Sequence, residues 1–314
     1  MKTLRRIAKL FGVSAVIALI LCEVGLRIAV AQVPPPPTND NRLADRLSGT
    51  MPQYANSPYW SPVFVHSVYD AIGSYELNED DQLSAPDLTL PGFTIRDNQR
   101  VTTDQPATYT RTVWVFGSST VWGVFVADGW TISSYLQREF NAQGLPWRVI
   151  NMGQPGANIT IEYYWLTKSD IRPGDIVIFL DGSVDLNNII ADSHKAQMAD
   201  NLTCQLADRI PLAMITLLCD EATAGRAPSQ YITPMMDEYR QRVDKATQYA
   251  QSRGAQYLHV MQPAMPHDGD LYAAMSRGDI VLAIQPADYF DELHYDDAGH
   301  AATAAQIAAR FGAF

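Results

Sequence analysis

Basic residues are in short supply in this chain of 314 residues. It has 23 lysines and arginines against 34 aspartates and glutamates, which gives a formal net charge of -11. Binding to nucleic acid needs a basic patch that neutralises phosphates, and the sequence shows none. We therefore expect no nucleic-acid partner. Cysteine is scarce as well, with three residues, so a single pair, Cys204 and Cys219, remains beyond the first 31 residues.

Two common glycine motifs are also missing. The Gly-x-Ser-x-Gly turn of the α/β-hydrolases does not occur around Ser119, because position 121 is valine. That absence disfavours the α/β-hydrolase fold. The segment from Gly153 to Gly156 is too short for the glycine fingerprint of dinucleotide-binding proteins.

Residues 1–31 read as a targeting segment, with a basic start followed by an apolar run. Residues 10–31 meet the roughly 20 residues that a helix needs to span a bilayer. Glu23 and Arg27 lie four residues apart, so they can pair on one helix face. We expect a single-pass anchor, with its basic end in the cytoplasm and the remainder of the chain exported. The alternative is cleavage near Ala31, which would release a secreted protein.

The stretch after the targeting segment divides by composition. Residues 32–58 form a Pro-rich tether. The folded domain is expected over 59–314, and residues 59–110 are interpreted as an N-terminal extension packed on it. The extension contains short strand-like pieces at 63–65 and 93–95.

An insert is predicted at residues 186–229, between two core elements, where it could act as a lid or specificity insert. It contains Cys204 and Cys219, which could form a disulfide in an oxidising compartment. The closed loop would be worth about 3 kcal/mol if unstrained. Two free buried thiols are the alternative.

Beyond residue 110, apolar strands alternate with helical patterns. Strands are predicted at 112–116, 148–150, 175–180 and 257–261, and helices at 130–142, 160–170, 233–252 and 298–311. Thr233 is the expected cap of the third helix, with Pro234 at its first position, and Asp297 is the expected cap of the last. The alternation predicts an α/β fold: a three-layer α/β/α sandwich, layered like flavodoxin, with a parallel sheet of about five strands.

Polar residues follow the predicted strands. Ser119, Gly153 and Asp185 each come after a strand end. In open parallel sheets, ligands gather at the carboxyl ends of the strands. This placement predicts a functional site that is built from these three turns.

Two short segments carry residues for acyl-ester chemistry. Ser119 stands in Phe-Gly-Ser-Ser-Thr at 116–120, and Asp291 precedes His294 by three residues near the C-terminus. Together they can supply a nucleophile, a carboxylate and a base. A plain turn around Ser119 and a solvated turn before the last helix are the alternatives. The acids and histidines at 291, 294, 296, 297 and 300 can also be read as a metal cluster.

These residues resemble the SGNH (GDSL-type) hydrolases, which carry four short blocks in a fixed order. The matching segments are Phe-Gly-Ser-Ser-Thr at 116–120, Asn-Met-Gly at 151–153, Asp-Gly-Ser-Val-Asp at 181–185 and Asp-Glu-Leu-His at 291–294. The chain is most similar to a bacterial membrane-anchored branch of that family, which implies an anchor in a bacterial inner membrane and a domain in the periplasm. The branch features are Glu-x-x-x-Arg at 23–27, Arg-x-Thr at 100–102 and Gln-Pro at 262–263.

The resemblance implies a role for each matching residue. Ser119 is the expected nucleophile, His294 its base and Asp291 the partner of that base. The backbone N–H groups of Ser119 and Gly153 are expected to form the oxyanion hole. Ser118 replaces the usual acid or glycine before the nucleophile and is an alternative nucleophile itself.

The resemblance fails at one functional position. The family uses an asparagine side chain as its third oxyanion donor, and Val184 stands there in this sequence. Valine has no donor, and loss of one such donor typically costs about 100- to 1000-fold in rate. Asn158, Asn187 and Asn188 are candidate substitutes.

The sequence thus predicts an exported serine esterase that hydrolyses O-acyl esters, with O-acetyl groups on cell-surface glycans as candidate substrates. It needs neither a metal nor an organic cofactor. An O-acyltransferase that uses the same serine to modify a polysaccharide is the first alternative. A catalytically silent glycan-binding or scaffold protein is the second, and Val184 motivates it.

Overall fold

The protein is described here by a computed structural model that covers residues 23, 27, 62–210, 212–262, 269–276, 280–285 and 293–311. The predicted tether and Asp291 lie outside these residues, as does the predicted anchor except for Glu23 and Arg27. These two residues are helical, and their side chains form an ion pair of 2.7 Å, which confirms the pairing predicted from their spacing. Within the covered ranges, no helix has both the length and the apolar character that crossing a bilayer requires.

Ten strands and ten α-helices are described. The strands are β1 (Glu76–Leu77), β2 (Leu83–Ser84), β3 (Leu88–Leu90), β4 (Phe93–Arg96), β5 (Gln99–Arg100), β6 (Arg111–Gly117), β7 (Trp147–Gly153), β8 (Ile176–Asp181), β9 (Gln256–Met261) and β10 (Ile280–Val281). The helices are α1 (Pro62–Gly73), α2 (Ser119–Trp122), α3 (Ile132–Ala142), α4 (Ile159–Lys168), α5 (Ser183–Asp200), α6 (Leu202–Arg209), α7 (Ala213–Ala222), α8 (Ser229–Ser252), α9 (Gly269–Met275) and α10 (Asp297–Ala308).

The central sheet has eight strands in the order β10-β9-β8-β6-β7-β5-β4-β3. The first five of these pair in parallel, which confirms the predicted α/β fold with about five parallel strands. Every residue of β8 is buried, as expected for a strand whose two faces are both covered. The other three strands pair antiparallel and come from the N-terminal extension, so the sheet is mixed.

The extension corrects one sequence interpretation and confirms another. The piece at 63–65 is not a strand, because it lies in α1. Phe64, Val68 and Ala71 are buried there and recur at helical spacing, a period that the neighbouring valines obscured. The piece at 93–95 is part of β4, as predicted.

Two predicted helix starts shift in the structure. Helix α8 begins at Ser229, so Pro234 lies inside it instead of at its first position. Helix α10 is capped by Asp296, whose carboxylate accepts a hydrogen bond of 2.9 Å from the N–H of Gly299. Asp297 is the first helical residue, where a negative charge still favours the helix N-terminus.

The chain divides into two compact units. One contains 189–235 together with Glu23 and Arg27. Its helices α6 and α7 are joined by a disulfide between Cys204 and Cys219 with an S–S distance of 2.03 Å, so the predicted bond is present. The carboxylate of Glu23 accepts hydrogen bonds from the backbone N–H groups at the start of α7, at 2.7 and 3.3 Å.

The second unit contains the sheet and the predicted chemical residues. It comprises 45–188 and 236–314. Its main apolar cluster includes Val115 of β6, Ile178 of β8, Leu136 of α3 and Ile307 of α10, all fully buried. The cluster therefore fixes the ends of the parallel strands, where the turns that carry the candidate site begin.

Candidate active site

Ser119 and His294 meet at the carboxyl end of the parallel sheet. Ser119 follows β6 and is the first residue of α2, and His294 lies shortly before α10. The Oγ of Ser119 is 2.8 Å from the Nε2 of His294, across 175 positions of sequence. This is within the range for proton transfer between a nucleophile and its base. The predicted proximity of the two side chains is confirmed.

A tight turn places Ser119 at this edge. β6 ends at Gly117, where a Cβ atom would come within 2.6 Å of the carbonyl oxygen of Leu180 and 2.3 Å of Val121. Only glycine therefore fits this approach. Gly123 ends α2 with a φ of 80°, a conformation that favours glycine. The residue between strand and helix, Ser118, is buried at 2% exposure, whereas the hydroxyl of Ser119 faces an imidazole.

His294 itself lies in neither a helix nor a strand, so contacts with other elements must hold it. The ring of Phe125 packs against its imidazole edge-on, with centroids 5.2 Å apart. The predicted partner of its other ring nitrogen, Asp291, lies outside the described residues, and its role stays a prediction.

The predicted oxyanion role of Gly153 needs correction. Its N–H donates a hydrogen bond of 2.9 Å to Oδ1 of Asn151, a fully buried side chain. The same amide of Asn151 donates to the carbonyl oxygen of Val121 at 2.8 Å. A Cβ atom on Gly153 would lie 2.3 Å from the backbone nitrogen of Trp122. Gly153 is therefore required for the close contact between β7 and α2, and its N–H is occupied.

The turn that follows Gly153 contains a second glycine, Gly156. The N–H of Ala157 donates to the carbonyl oxygen of Gln154 at 3.2 Å, which closes a four-residue turn. Gly156 is its third residue, with a φ of 72° and open space around it. The turn's own hydrogen bond does not use the N–H of Gly156. The N–H of Gln154 donates to the carbonyl oxygen of Gly117 at 3.0 Å, so the turn lies beside the serine turn.

The third block, 181–185, leads into α5. The candidate side-chain donors for the oxyanion hole, Asn158 and Asn187, lie outside this block. Val184 is half-buried. Asn158 uses its Oδ1 to cap α4, accepting from Thr160 and Ile161 at 3.1 and 3.2 Å, which leaves its amide nitrogen as the candidate donor. Asn187 is exposed on α5, like its neighbour at position 188. The structure brings neither asparagine into a described contact with Ser119.

A buried acidic cluster lies behind the third block and was not found from the sequence. The imidazole of His259 is 2.7 Å from the carboxylate of Asp181, which also accepts a hydrogen bond of 2.8 Å from the Tyr239 hydroxyl. Burial, together with the negative charge of Asp181, raises the pKa of Asp185 to about 8. The same two causes raise the pKa of Glu162 well above its ordinary value. The sequence places His259 in the predicted strand at 257–261 but does not identify its partners, because they come from other elements.

The alternative metal cluster near the C-terminus is not assembled in the described structure. Asp296 caps α10, and His300 is buried in that helix, where burial foremost and then the charge of Arg100 lower its pKa to about 3. Among the residues with described positions, no three His, Cys, Asp or Glu side chains form a group that could hold a metal ion.

A parallel sheet whose carboxyl edge presents a serine hydroxyl to an imidazole is the architecture of a serine hydrolase. The sequence pattern of the GDSL-like lipase/acylhydrolase family matches residues 115–302, which is more than half of the chain and includes both side chains. The chain belongs to this family and is a serine ester hydrolase, as the motif resemblance implied. It has no match among curated proteins.

Several solved structures are similar to this chain. The crystal structure of TesA is 14% identical, with a TM-score of 0.42, and the match covers 63% of this chain and 96% of that one. A putative lipolytic protein of the G-D-S-L family from Desulfitobacterium hafniense DCB-2 is 11% identical, with a TM-score of 0.40 and coverages of 64% and 99%. The acetyl xylan esterase AlAXEase is 14% identical, with a TM-score of 0.41 and coverages of 63% and 98%.

Proposed function

We propose that this protein is an exported serine esterase that hydrolyses O-acyl esters through an acyl-Ser119 intermediate, with O-acetyl groups on cell-surface glycans as its substrates. The observation that carries the proposal is the 2.8 Å contact between Ser119 Oγ and His294 Nε2. Membership of the GDSL-like lipase/acylhydrolase family supports the ester bond as the target.

The reaction follows from the two side chains. Ser119 Oγ attacks the ester carbonyl carbon while its proton passes to Nε2 of His294. The imidazolium returns that proton to the alcohol oxygen as the C–O bond breaks, which leaves the acyl group on Ser119. Water then attacks the acyl carbon and gives its proton to His294, and the same proton restores the Ser119 hydroxyl as the acid departs. Asp291 is the proposed acceptor for the Nδ1 proton of His294.

Two backbone N–H groups are the proposed oxyanion donors. Ser119 is the first residue of α2, where backbone N–H groups have no acceptor within the helix. Gly156, in the adjacent turn, replaces Gly153 in this role. The amide nitrogen of Asn158 or Asn187 is the proposed substitute for the side chain missing at Val184. If neither serves, the enzyme should be slower than a three-donor relative by about 100- to 1000-fold.

Export and membrane anchoring are supported by two features outside the sheet. The Cys204–Cys219 disulfide is typical of an oxidising compartment. The bonds from α7 to Glu23 make this residue of the targeting segment part of the folded chain. Retention of residues 10–31 as an inner-membrane anchor fits these contacts better than cleavage near Ala31. The N-terminal sequence of the protein purified from membranes tests this, because cleavage would place the mature terminus after Ala31.

Kinetics with p-nitrophenyl acetate test the esterase proposal. Ser119→Ala should lower kcat/KM at least about 1000-fold, because it removes the hydroxyl that forms the acyl intermediate. Ser118→Ala is the matched control, since it removes a hydroxyl one residue away without touching His294, and it should retain activity. Equal activity of wild type and Ser119→Ala would refute the proposal.

An acyltransferase would use the same acyl-serine and pass the acyl group to a sugar hydroxyl. Product analysis with an acetyl donor separates the two reactions. Release of free acetate at the same rate with and without a glycan acceptor supports the esterase. Acetylated glycan formed at the expense of acetate would support the transferase.

A further inference from the structure

One buried side chain connects the two halves of the candidate active site. Gln262 directly follows β9 and is fully buried. Its Nε2 donates a hydrogen bond of 2.9 Å to Oγ1 of Thr120 and another of 3.0 Å to the carbonyl oxygen of Leu293. Thr120 is the residue after Ser119, and Leu293 is the residue before His294. We propose that Gln262 is a positioning residue that fixes the nucleophile and its base at reacting distance.

The backbone of Gln262 is held on both sides, so its side chain has a fixed origin. Its N–H donates to the carbonyl oxygen of Asp181 at 2.8 Å, at the end of β8. Its carbonyl oxygen accepts a hydrogen bond of 2.9 Å from the hydroxyl of Ser183, in the third block. Gln262 therefore bonds directly to three of the four sequence blocks that form the site.

The chemistry of the carboxamide suits this task. A primary amide has two N–H donors on one nitrogen, and here one reaches the serine turn and the other the histidine segment. Glutamate, methionine and alanine have no such pair. His294 itself lies in neither a helix nor a strand, so a bond at its neighbour Leu293 directly restricts where the imidazole can move. A misplacement of about 1 Å at a reacting group can cost about 100-fold in rate.

This role rests on the proposed esterase function and predicts a specific kinetic signature. Gln262 is fully buried and so has no exposed surface to offer a substrate; its loss should therefore act on the chemical step and not on binding. Gln262→Met keeps the volume and removes both donors. We expect kcat for p-nitrophenyl acetate to fall about 10- to 100-fold, while KM stays within about twofold.

Gln137 provides a matched control. It is also fully buried, and its Nε2 likewise donates two bonds, to Asn141 at 3.0 Å and to the carbonyl oxygen of Trp147 at 2.9 Å. Trp147 is the first residue of β7. It therefore lies at the amino end of the parallel strands, opposite the end that carries Ser119. Gln137→Met should lower thermal stability and leave kcat unchanged.

A second variant tests the same bond from its other end. Thr120→Val removes the hydroxyl that accepts from Gln262 and should also lower kcat. In a Gln262→Met background, Thr120→Val should add little, because the shared bond is already lost. If Gln262→Met does not fold by circular dichroism, a normal kcat in Thr120→Val overturns the proposal and a reduced one supports it.

The outcomes separate this inference from the proposed function. Wild-type activity with an equally active Gln262→Met variant would refute the positioning role alone. An equal loss of kcat in Gln137→Met would show that the effect is general destabilisation, which also refutes it. A wild type without esterase activity would refute the proposed function instead.

Discussion

Among single residues, Arg100 contributes most to holding the loop that follows α2, the helix that begins with Ser119. Its guanidinium is fully buried and forms an ion pair of 2.7 Å with Asp128. It also donates to the carbonyl oxygens of Trp122, Gly123 and Val126, at distances between 2.8 and 3.1 Å. These residues flank Phe125, whose ring packs on His294. One planar cation thereby satisfies several carbonyl groups that would otherwise be buried without donors.

Arg100→Lys should therefore be strongly destabilising although it keeps the charge. Lysine cannot reproduce the planar fork of donors, and breaking a buried ionic network costs about 3 to 5 kcal/mol. Chemical denaturation measures the loss. Arg138→Lys is the matched control, because Arg138 pairs with Asp104 at an exposed site, where such a pair is worth about 0 to 1 kcal/mol. Similar losses in the two variants would contradict this view of Arg100.

Among single residues, the sequence identified the reacting side chains better than their backbone partners. Ser119 and His294 are specified by residue type and by motif, and they meet as predicted. Gly153 was misassigned because the acceptor of its N–H is the side chain of Asn151, and sequence spacing does not tell where an N–H points. Gln262 could be noticed as a motif residue, but its two acceptors lie 142 and 31 positions away.

Among the secondary-structure elements, the first turn of α5 contains a buried carboxyl group, Asp185, whose titration should affect the free energy of unfolding. The buried carboxyl of Asp185 has a pKa raised to about 8, whereas in the unfolded chain it titrates near its ordinary value of about 3.9. Between these values the folded protein binds more protons. Its free energy of unfolding should therefore fall as pH rises from about 4 to about 8.

Asp185→Asn tests this dependence. The amide oxygen can still accept the 3.1 Å hydrogen bond from the N–H of Ile159, but the side chain carries no titrating proton. Urea unfolding should show the variant gaining stability relative to wild type between pH 5 and pH 8. Asp192→Asn, which changes an exposed carboxylate of the same helix, should show no such trend. Parallel curves for wild type and Asp185→Asn would contradict the raised pKa.

The helical pair α6 and α7 depends on its disulfide. The bond spans 15 positions, and a loop of that length is stabilised by about 3 kcal/mol in the chain-entropy account. Reduction should speed amide hydrogen exchange in α6 and α7 and leave β6 and β8 protected. A Cys204→Ser/Cys219→Ser variant should exchange at the reduced rate whether or not reductant is present. Unchanged exchange in these helices after reduction would contradict this.

Helices and strands with a strongly periodic apolar pattern were predictable from the sequence. Elements with locally atypical residues were not. β6, β8, β9 and α3 follow from their apolar patterns to within a few residues. α1 was missed because two valines flank Phe64, and β-branched residues favour strands when only a short window is read. The early start of α8 was missed because Pro234 normally marks a first turn.

Across the whole molecule, the parallel sheet brings distant parts of the chain to one edge. Sequence alternation located four of the five parallel strands, β6 to β9, and therefore the end of the sheet at which the serine and histidine segments meet. The fifth, β10, has two residues and was not located. The antiparallel strands β3, β4 and β5 were not predicted as part of the sheet, because they are two to four residues long and their partners lie elsewhere in the chain. The family and the reaction class were accessible from sequence because they depend on the ends of the long parallel strands.

The central claim is that His294 activates the hydroxyl of Ser119 as the nucleophile. Reaction of the full chain with a fluorophosphonate, followed by peptide mapping by mass spectrometry, tests it most directly. The account predicts one adduct, on Ser119, that persists in Ser118→Ala and is lost in Ser119→Ala and in His294→Ala. An adduct on Ser118, or no adduct in a wild type that hydrolyses esters, would contradict it.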